Sequence, residues 1–500
     1  MSISDSHYAQ LREKCEREDL VMFVNACFAA TGQKEYYSDQ YAQSVSIDFL
    51  HQYVLGNYRR VYARALAAGV NHFNQALIIR NLLRAGAPDE PAFRAEEGRL
   101  IAATLRQLPT NRAYQLFDRL AGEGVNNRRT RAVVRDYCQG RKNRAFEVLK
   151  YRNKFRKAVR HAHAAVDDET ALFLFARNEQ TRFDEPLYDA YRRAHYSKQA
   201  VYELPYTVAE GLAARHGIPR DIFLRNIQPQ MTQAEKLRVQ NAAKRASKQP
   251  IAIDMPRAPL TKLALYVLSL PPQERTERSD ELHLALQNAA RRAQRKSPLR
   301  LGKVAAVMDR SRSTWGSRER RRRPLAVAVA THYLLAAASD EFRSFWTPAR
   351  GDAPDQLPAD GKAFLVDAGG QSDLATPLLD ALDWRPEQIL LISDGYENAP
   401  CDAVNQIVRV FRQRLQATMP ISFVHANPVF DADYFSPHRL GDSLLTIGLR
   451  DAEDLNGSLR FAKFAAGEAT RAELETYLGE LAADYLQQHA ATDTPQNHDH

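Results

Sequence analysis

Four short apolar runs in the C-terminal part of the chain constrain its fold more than any other feature. They are KVAAVMD (303–309), KAFLVDAGG (362–370), QILLISDG (388–395) and PISFVHAN (420–427), and each suits a strand buried on both faces. Two helical patterns, Pro324–Ala338 and Leu374–Leu382, separate the first three. Apolar strands alternating with helices predict a parallel sheet covered on both sides, an α/β doubly wound, Rossmann-like domain. Ligands of such sheets bind outside the C-terminal strand ends. The acids there, Asp309 and Asp394, are therefore the first functional candidates.

Residues 1 to about 290 read differently. Apolar residues recur at helical spacing, as in Phe49, Tyr53, Val54 and Leu55. Small-residue stops at AAGV (67–70), RAGAP (84–88), AGEGV (121–125) and RHGIP (215–219) look like helix ends, where glycine accepts the positive φ that closes a helix. Short punctuated helices predict stacked pairs, an all-α HEAT-like helical-repeat domain, although no clean repeat period stands out. The expected organisation is multidomain: a helical domain over 1–290, a basic connector over 291–302, the α/β domain over 303–489 and a disordered tail over 490–500.

The first apolar run leads into Asp309-Arg310-Ser311-Arg312-Ser313, a D-x-S-x-S pattern. The second leads into Gly369-Gly370-Gln371-Ser372-Asp373, and the third ends in Ser393-Asp394-Gly395. Two carboxylates and three hydroxyls at one sheet edge make an all-oxygen site, which suits a hard divalent cation, Mg²⁺ first. The pattern resembles the von Willebrand factor A (VWA) fold and its metal-ion-dependent adhesion site (MIDAS). The resemblance implies Asp309, Ser311, Ser313, Ser372 and Asp394 as metal ligands, with a coordination position left for a partner's oxygen. Ser372 stands where that family has threonine, and Thr376 is the fallback. Arg310 and Arg312 replace the small residues common between the first ligands. The alternative is a VWA fold whose hydroxyls only hydrogen-bond the loop.

The formal charge of +9 hides a split. Residues 128–163 carry 13 Lys+Arg against 2 acids, and residues 291–323 again 13 against 2. Residues 351–500 carry 10 against 24. Concentrated basic charge points to a polyanion, nucleic acid first, or else to solvated helix faces. In the first segment Arg128, Arg129, Arg131 and Arg135 stand near a predicted helix start, which also favours phosphate. Lys150, Tyr151, Arg152, Lys154, Arg156, Lys157 and Arg160 fall within three predicted helical turns, with Lys150, Lys154 and Lys157 on one face. Tyr151 and Phe155 suit either base stacking or the core. His161 and His163 would extend the same surface. In the second segment, Arg318 to Arg323 reads as a solvated turn, an anion-recognition surface beside the cation, or a clamp onto acids of the same domain.

Helical repeats followed by a VWA domain resemble the Ro (TROVE-domain) family. That resemblance implies binding of structured small RNAs and single-stranded RNA ends, as a ribonucleoprotein. The alternative is a protein-interaction adaptor working with a MoxR-like AAA+ ATPase, its metal gripping a partner carboxylate. No P-loop, HExxH or GxSxG motif is present, so a non-catalytic role is expected. No apolar run reaches the roughly 20 residues of a membrane helix. The start lacks the features of a signal peptide, and Cys15, Cys27, Cys138 and Cys401 form no CxxC pair. A cytoplasmic protein with reduced thiols is expected, making no membrane contact.

Overall fold

The computed structural model describes residues 5–34, 39–176, 182–232, 258–348, 361–467 and 470–490, with short stretches at 235–236, 239, 255 and 356–358. The expected tail over 490–500 lies almost wholly outside them. The chain forms two compact units, one of Met1–Asn74 with Met255–His500, the other Gln75–Asp254. The units do not divide at the expected boundary near residue 290, because helices from both ends of the first half pack on the sheet's edge and on its covering helix Arg323–Ala338.

The sheet has six strands: β1 (Leu301–Met308), β2 (Ser339–Trp346), β3 (Gln356–Pro358), β4 (Gln388–Ile392), β5 (Ser422–Asn427) and β6 (Leu445–Gly448). Their order is β3-β2-β1-β4-β5-β6, all parallel except β3, which runs antiparallel to β2. This is the doubly wound order, with its switch point between β1 and β4.

One expected strand is corrected. KAFLVDAGG holds a single 3-10 turn, Ala363–Leu365, followed by loop, although Ala363, Phe364 and Val366 are buried. Arg275, itself buried, donates to the carbonyls of Phe364 (2.7 Å) and Val366 (3.4 Å), so a guanidinium satisfies the backbone that a ladder would otherwise pair. The place beside β1 goes to SDEFRSFW (339–346). Only its C-terminal half is well buried, so its first half lacks the apolar signal of a central strand.

Helix Arg323–Ala338 is buried on nearly every face. The sheet covers one side, and helices Leu260–Ser269 and Ser279–Lys296 cover the other. Helix Asp5–Ala29 lies along edge strand β6. Asn25 donates from its amide to Thr446 O (3.1 Å) and accepts from Gly448 N (3.3 Å). A Cβ on Gly448 would stand 2.4 Å from Asn25 O, so only glycine permits this approach. The helix thereby covers an edge that could otherwise pair with another chain.

The second unit is entirely helical among the described residues. Its stops behave as expected: Gly86, Gly124 and Gly217 all have positive φ, as does Gly69 in the first unit. An aromatic cluster forms its core. Tyr114 lies 5.5–6.0 Å from the rings of Phe117, Tyr137, Tyr151 and Phe155. The Tyr114 hydroxyl donates to Glu147 (3.1 Å), whose carboxylate also pairs with Arg141 at 2.6 Å. Among the described residues no helix is long and apolar enough to cross a membrane, and all four cysteines are free.

Candidate metal centre and basic surface

β1 delivers Asp309 to the C-terminal sheet edge, where its N–H donates across the switch point to Ile392 O (3.0 Å). The residue is 1 % exposed. Its Oδ1 accepts from Ser311 N (2.7 Å), and the Ser311 and Ser313 hydroxyls stand 3.1 Å apart. The spacing of two thus folds the D-x-S-x-S loop back on its own carboxylate. The other oxygen, Asp309 Oδ2, is buried without a hydrogen-bond partner. Such an orphaned acceptor is costly unless something positive meets it.

β4 delivers Asp394, also buried. Its Oδ1 accepts from Tyr396 N (3.2 Å), and its carbonyl accepts from Asn427 Nδ2 (2.9 Å). Gly395 follows with positive φ, and a Cβ there would meet His438 O at 2.4 Å. Burial first, and the neighbouring Asp394 second, push the Asp309 carboxyl well above its ordinary range. Two buried acids side by side, one with an orphaned oxygen, are a charge arrangement that a divalent cation relieves.

The loop after Val366 lies against the D-x-S-x-S loop through two backbone bonds, Gly369 N to Arg310 O (2.7 Å) and Arg312 N to Gly370 O (3.2 Å). Ser372 follows, buried, its backbone held by Asn398 through bonds of 2.9 and 3.4 Å. The fallback Thr376 is committed elsewhere, since its hydroxyl donates to Asp373 (2.7 Å) as part of a helix start. The expected ligands therefore gather on two adjoining loops and the end of β4. All five supply oxygen, and Asp309 Oδ2 is uncommitted, so the donors fit Mg²⁺ or a similar hard ion. Sequence reasoning missed the supports Asn398, Asn427 and Arg275, which carry no local pattern.

The arginines between the ligands divide. Arg310 turns inward and donates from Nε to Thr347 O (2.7 Å). Arg323 is buried and donates to Pro428 O (2.9 Å) and Arg450 O (3.1 Å), so it clamps backbone carbonyls of its own domain. Arg312, Arg318 and Arg321 are exposed.

In the helical unit, Arg128 opens helix Arg128–Gln139 as expected, with Asn127 capping it from Thr130 N (2.8 Å). Arg128 and Arg135 are exposed, and Arg131 is half-buried. Arg129 is pinned to the buried Glu97 at 2.6 Å. The single helix expected around residues 150–160 is corrected. Helices Arg144–Lys150 and Arg152–Ala162 meet at Tyr151, whose backbone (φ −114°, ψ 24°) leaves the helical region. The ring of Tyr151 packs on Tyr114 while Phe155 is fully buried, so Phe155 is core and offers no stacking face. Lys150 is largely buried on Glu235 (3.0 Å) and does not share a face with Lys154 and Lys157. Lys154 donates to Asn111 (3.4 Å), and Lys157 pairs with Asp118 (2.7 Å). Arg152 lies over Tyr191 and Arg160 over Phe175. His161 donates from Nε2 to Val125 O (3.0 Å), and His163 is the exposed left-handed cap. Among the described residues Arg128, Arg131 and Arg156 carry no ion pair. Helices Arg128–Gln139 and Arg152–Ala162 pack side by side, which brings these three onto neighbouring elements.

No family model matches the chain, and no curated protein matches it. Among solved structures it is similar to the Ro (RSR) protein of Deinococcus radiodurans, at 14% identity, over 90% of this chain and 100% of that one, with a TM-score of 0.51. The likeness runs through both the helical and the α/β parts and shows a shared fold: helical repeats followed by a VWA-type domain.

Proposed function

We propose that the chain is a non-catalytic RNA-binding protein of Ro-like build, with RNA held on the helical unit and a divalent cation held at the sheet edge of the α/β unit. The observation that carries the RNA reading is the set of unpaired guanidiniums of Arg128, Arg131 and Arg156 on two adjoining helices, in a chain whose fold follows a Ro protein along nearly its whole length. Guanidiniums without an acid partner are available to phosphate, and their fork geometry suits it. Arg135, Lys142, Lys157 and Arg160 are exposed beside them and would add to the field.

The cation would be held by Asp309, Ser311, Ser313, Ser372 and Asp394, which supports the reading through the orphaned Asp309 Oδ2. When bound, it supplies a Lewis-acidic position for an oxygen of a partner. The protein's own part is to bring the two carboxyl groups and the hydroxyls of the loop to one sheet edge.

The test is a gel-shift series with structured and single-stranded RNA at increasing salt. Affinity should fall steeply with salt, because each bound phosphate releases counterions. Joint replacement of Arg128, Arg131 and Arg156 by Glu should weaken binding at least a hundredfold. Purified protein that shifts no RNA at low salt, and copurifies with an ATPase in place of nucleic acid, would favour the adaptor reading instead.

A further inference from the structure

The stretch from Arg310 to Arg323 holds seven arginines and one acid, Glu319. The fold uses some of them internally. Arg310 and Arg323 are buried donors to backbone carbonyls. Arg322, at φ 61°, lays its guanidinium 4.5 Å from the centre of the Trp315 ring. Arg312, Arg318 and Arg321 remain outside. They are exposed and carry no ion pair among the described residues. This is notable in a domain with so many acids, since residues 351–500 hold 24 Asp+Glu against 10 Lys+Arg.

Trp315 stands among them. It is 42 % exposed, and it ends the 3-10 turn Arg312–Trp315 that begins within the D-x-S-x-S loop. The following turn is tight: Arg322 N donates back to Trp315 O (2.6 Å), and a Cβ on Gly316 would meet Arg320 O at 2.4 Å. That closure holds the arginine run against the indole and keeps both beside Ser311 and Ser313.

We infer that this rim, formed by Trp315, Arg312, Arg318 and Arg321 beside the cation loop, binds the phosphorylated end of a single-stranded RNA, the phosphate meeting the guanidiniums and the terminal base meeting the indole. The inference rests on the metal reading only for the third contact, a phosphate oxygen at the cation. Each part of the rim matches one part of that ligand. Guanidinium forks pair with phosphate oxygens, hard cations accept the same oxygens, and an exposed indole stacks on any base. A carboxylate side chain of a protein would use the cation and one guanidinium but would leave the indole and the other two arginines without a partner.

The experiment is a titration of the whole protein with AMP, and with a short single-stranded RNA carrying or lacking a 5′-phosphate, read by quenching of intrinsic tryptophan fluorescence and by anisotropy of the labelled RNA. Trp315 is the exposed one of three tryptophans, Trp346 being fully buried, so the quench reports on this site. Mn²⁺ binding is measured in parallel by electron paramagnetic resonance. The phosphorylated RNA should bind about tenfold more tightly than the unphosphorylated one in Mg²⁺. Trp315→Ala should abolish the quench and weaken binding about tenfold, and the Arg318→Ala, Arg321→Ala pair should remove the preference for phosphate while leaving Mn²⁺ binding unchanged. Nucleotide that fails to bind while Mn²⁺ binds normally overturns the inference and spares the metal reading. Nucleotide that binds through the arginines with no Mn²⁺ bound supports the rim and overturns the metal reading. An acidic peptide that binds where the phosphorylated RNA does not, or variants that bind RNA as the wild type does, also overturn the inference.

Discussion

Residues 128–163 and residues 291–323 carry the same charge, 13 Lys+Arg against 2 acids, and spend it in different ways. In the helical unit many of the cations are met by side chains from neighbouring helices: Lys150 by Glu235, Lys157 by Asp118, Arg129 by Glu97, Arg144 by Asp167. At the sheet edge the inward arginines meet backbone carbonyls, and three outward ones meet no acid among the described residues. The difference follows from the supporting elements. Helices packed in parallel layers place side chains of one beside those of the next, so charges find partners. A tight turn above a sheet projects its side chains away from the domain, where only a ligand can reach them. Net charge along the sequence is therefore a poor guide to which cations remain available.

The contrast can be broken first at the carboxylates that the turn surrounds. Asp309→Asn should lower cation affinity by a hundredfold or more, measured by Mn²⁺ titration. In chelator the same variant should melt above the wild type, because it removes a buried carboxyl that both burial and the neighbouring Asp394 disfavour as an anion. A variant that melts lower in chelator would mean that the two acids are already balanced within the fold.

The inward and outward arginines should then separate by stability. Arg323→Ala leaves the carbonyls of Pro428 and Arg450 without their donor and should cost about 3 kcal/mol in denaturant unfolding. Arg321→Ala should stay within about 0.5 kcal/mol of the wild type, as exposed substitutions usually do. Equal costs would remove the division.

A comparable pair tests the helical unit. Lys150→Glu sets a second carboxylate against the largely buried Glu235 and should mainly destabilise the unit, with less effect on RNA affinity than Arg128→Glu. The two gel-shift midpoints and the two melting temperatures decide this together. If Lys150→Glu is the stronger RNA defect, the phosphate surface lies on the other helix junction.

A pH dependence is expected at the buried imidazole of His332, which packs against β2. Burial drives the pKa of His332 down to about 4, and its Nε2 donates to Gly361 O while its Nδ1 faces the Ser344 hydroxyl at 2.9 Å. Between about pH 6.5 and 4 the unfolded chain therefore takes up a proton that the folded chain refuses. Stability from this group is present above pH 6.5 and falls as pH is lowered, by about 3 kcal/mol in total. His332→Gln has no such proton to take, so its deficit against the wild type should narrow on acidification. A deficit constant from pH 7 to 4.5 would show that the imidazole is protonated in the fold.

Much of the candidate site was legible because its chemistry is local. Asp309, Ser311 and Ser313 lie within five residues, and the loop closes on itself through a bond of 2.7 Å between Asp309 and Ser311. Asp394 was legible because an all-apolar run ending in an acid marks the end of a buried parallel strand. Ser372 was legible as a hydroxyl after the second apolar run, but what sets its place is a pair of bonds between its backbone and Asn398, 26 residues away.

The sequence by itself determined the kinds of structure present. Apolar runs of strand length gave β1, β4 and β5, helical periodicity gave the helices between them, and glycine stops gave the helix ends, all of which depend on forces acting within a few residues. Tertiary structure decided what depended on distant partners. It made KAFLVDAGG a loop by satisfying its carbonyls from Arg275, and it put SDEFRSFW into the sheet. It sent helix Asp5–Ala29 to cover β6, some 420 residues away in the chain, and it divided the arginines into those buried on carbonyls and those left at the surface. Each of these outcomes turns on which buried polar group is met by which remote donor, and no local pattern records that pairing.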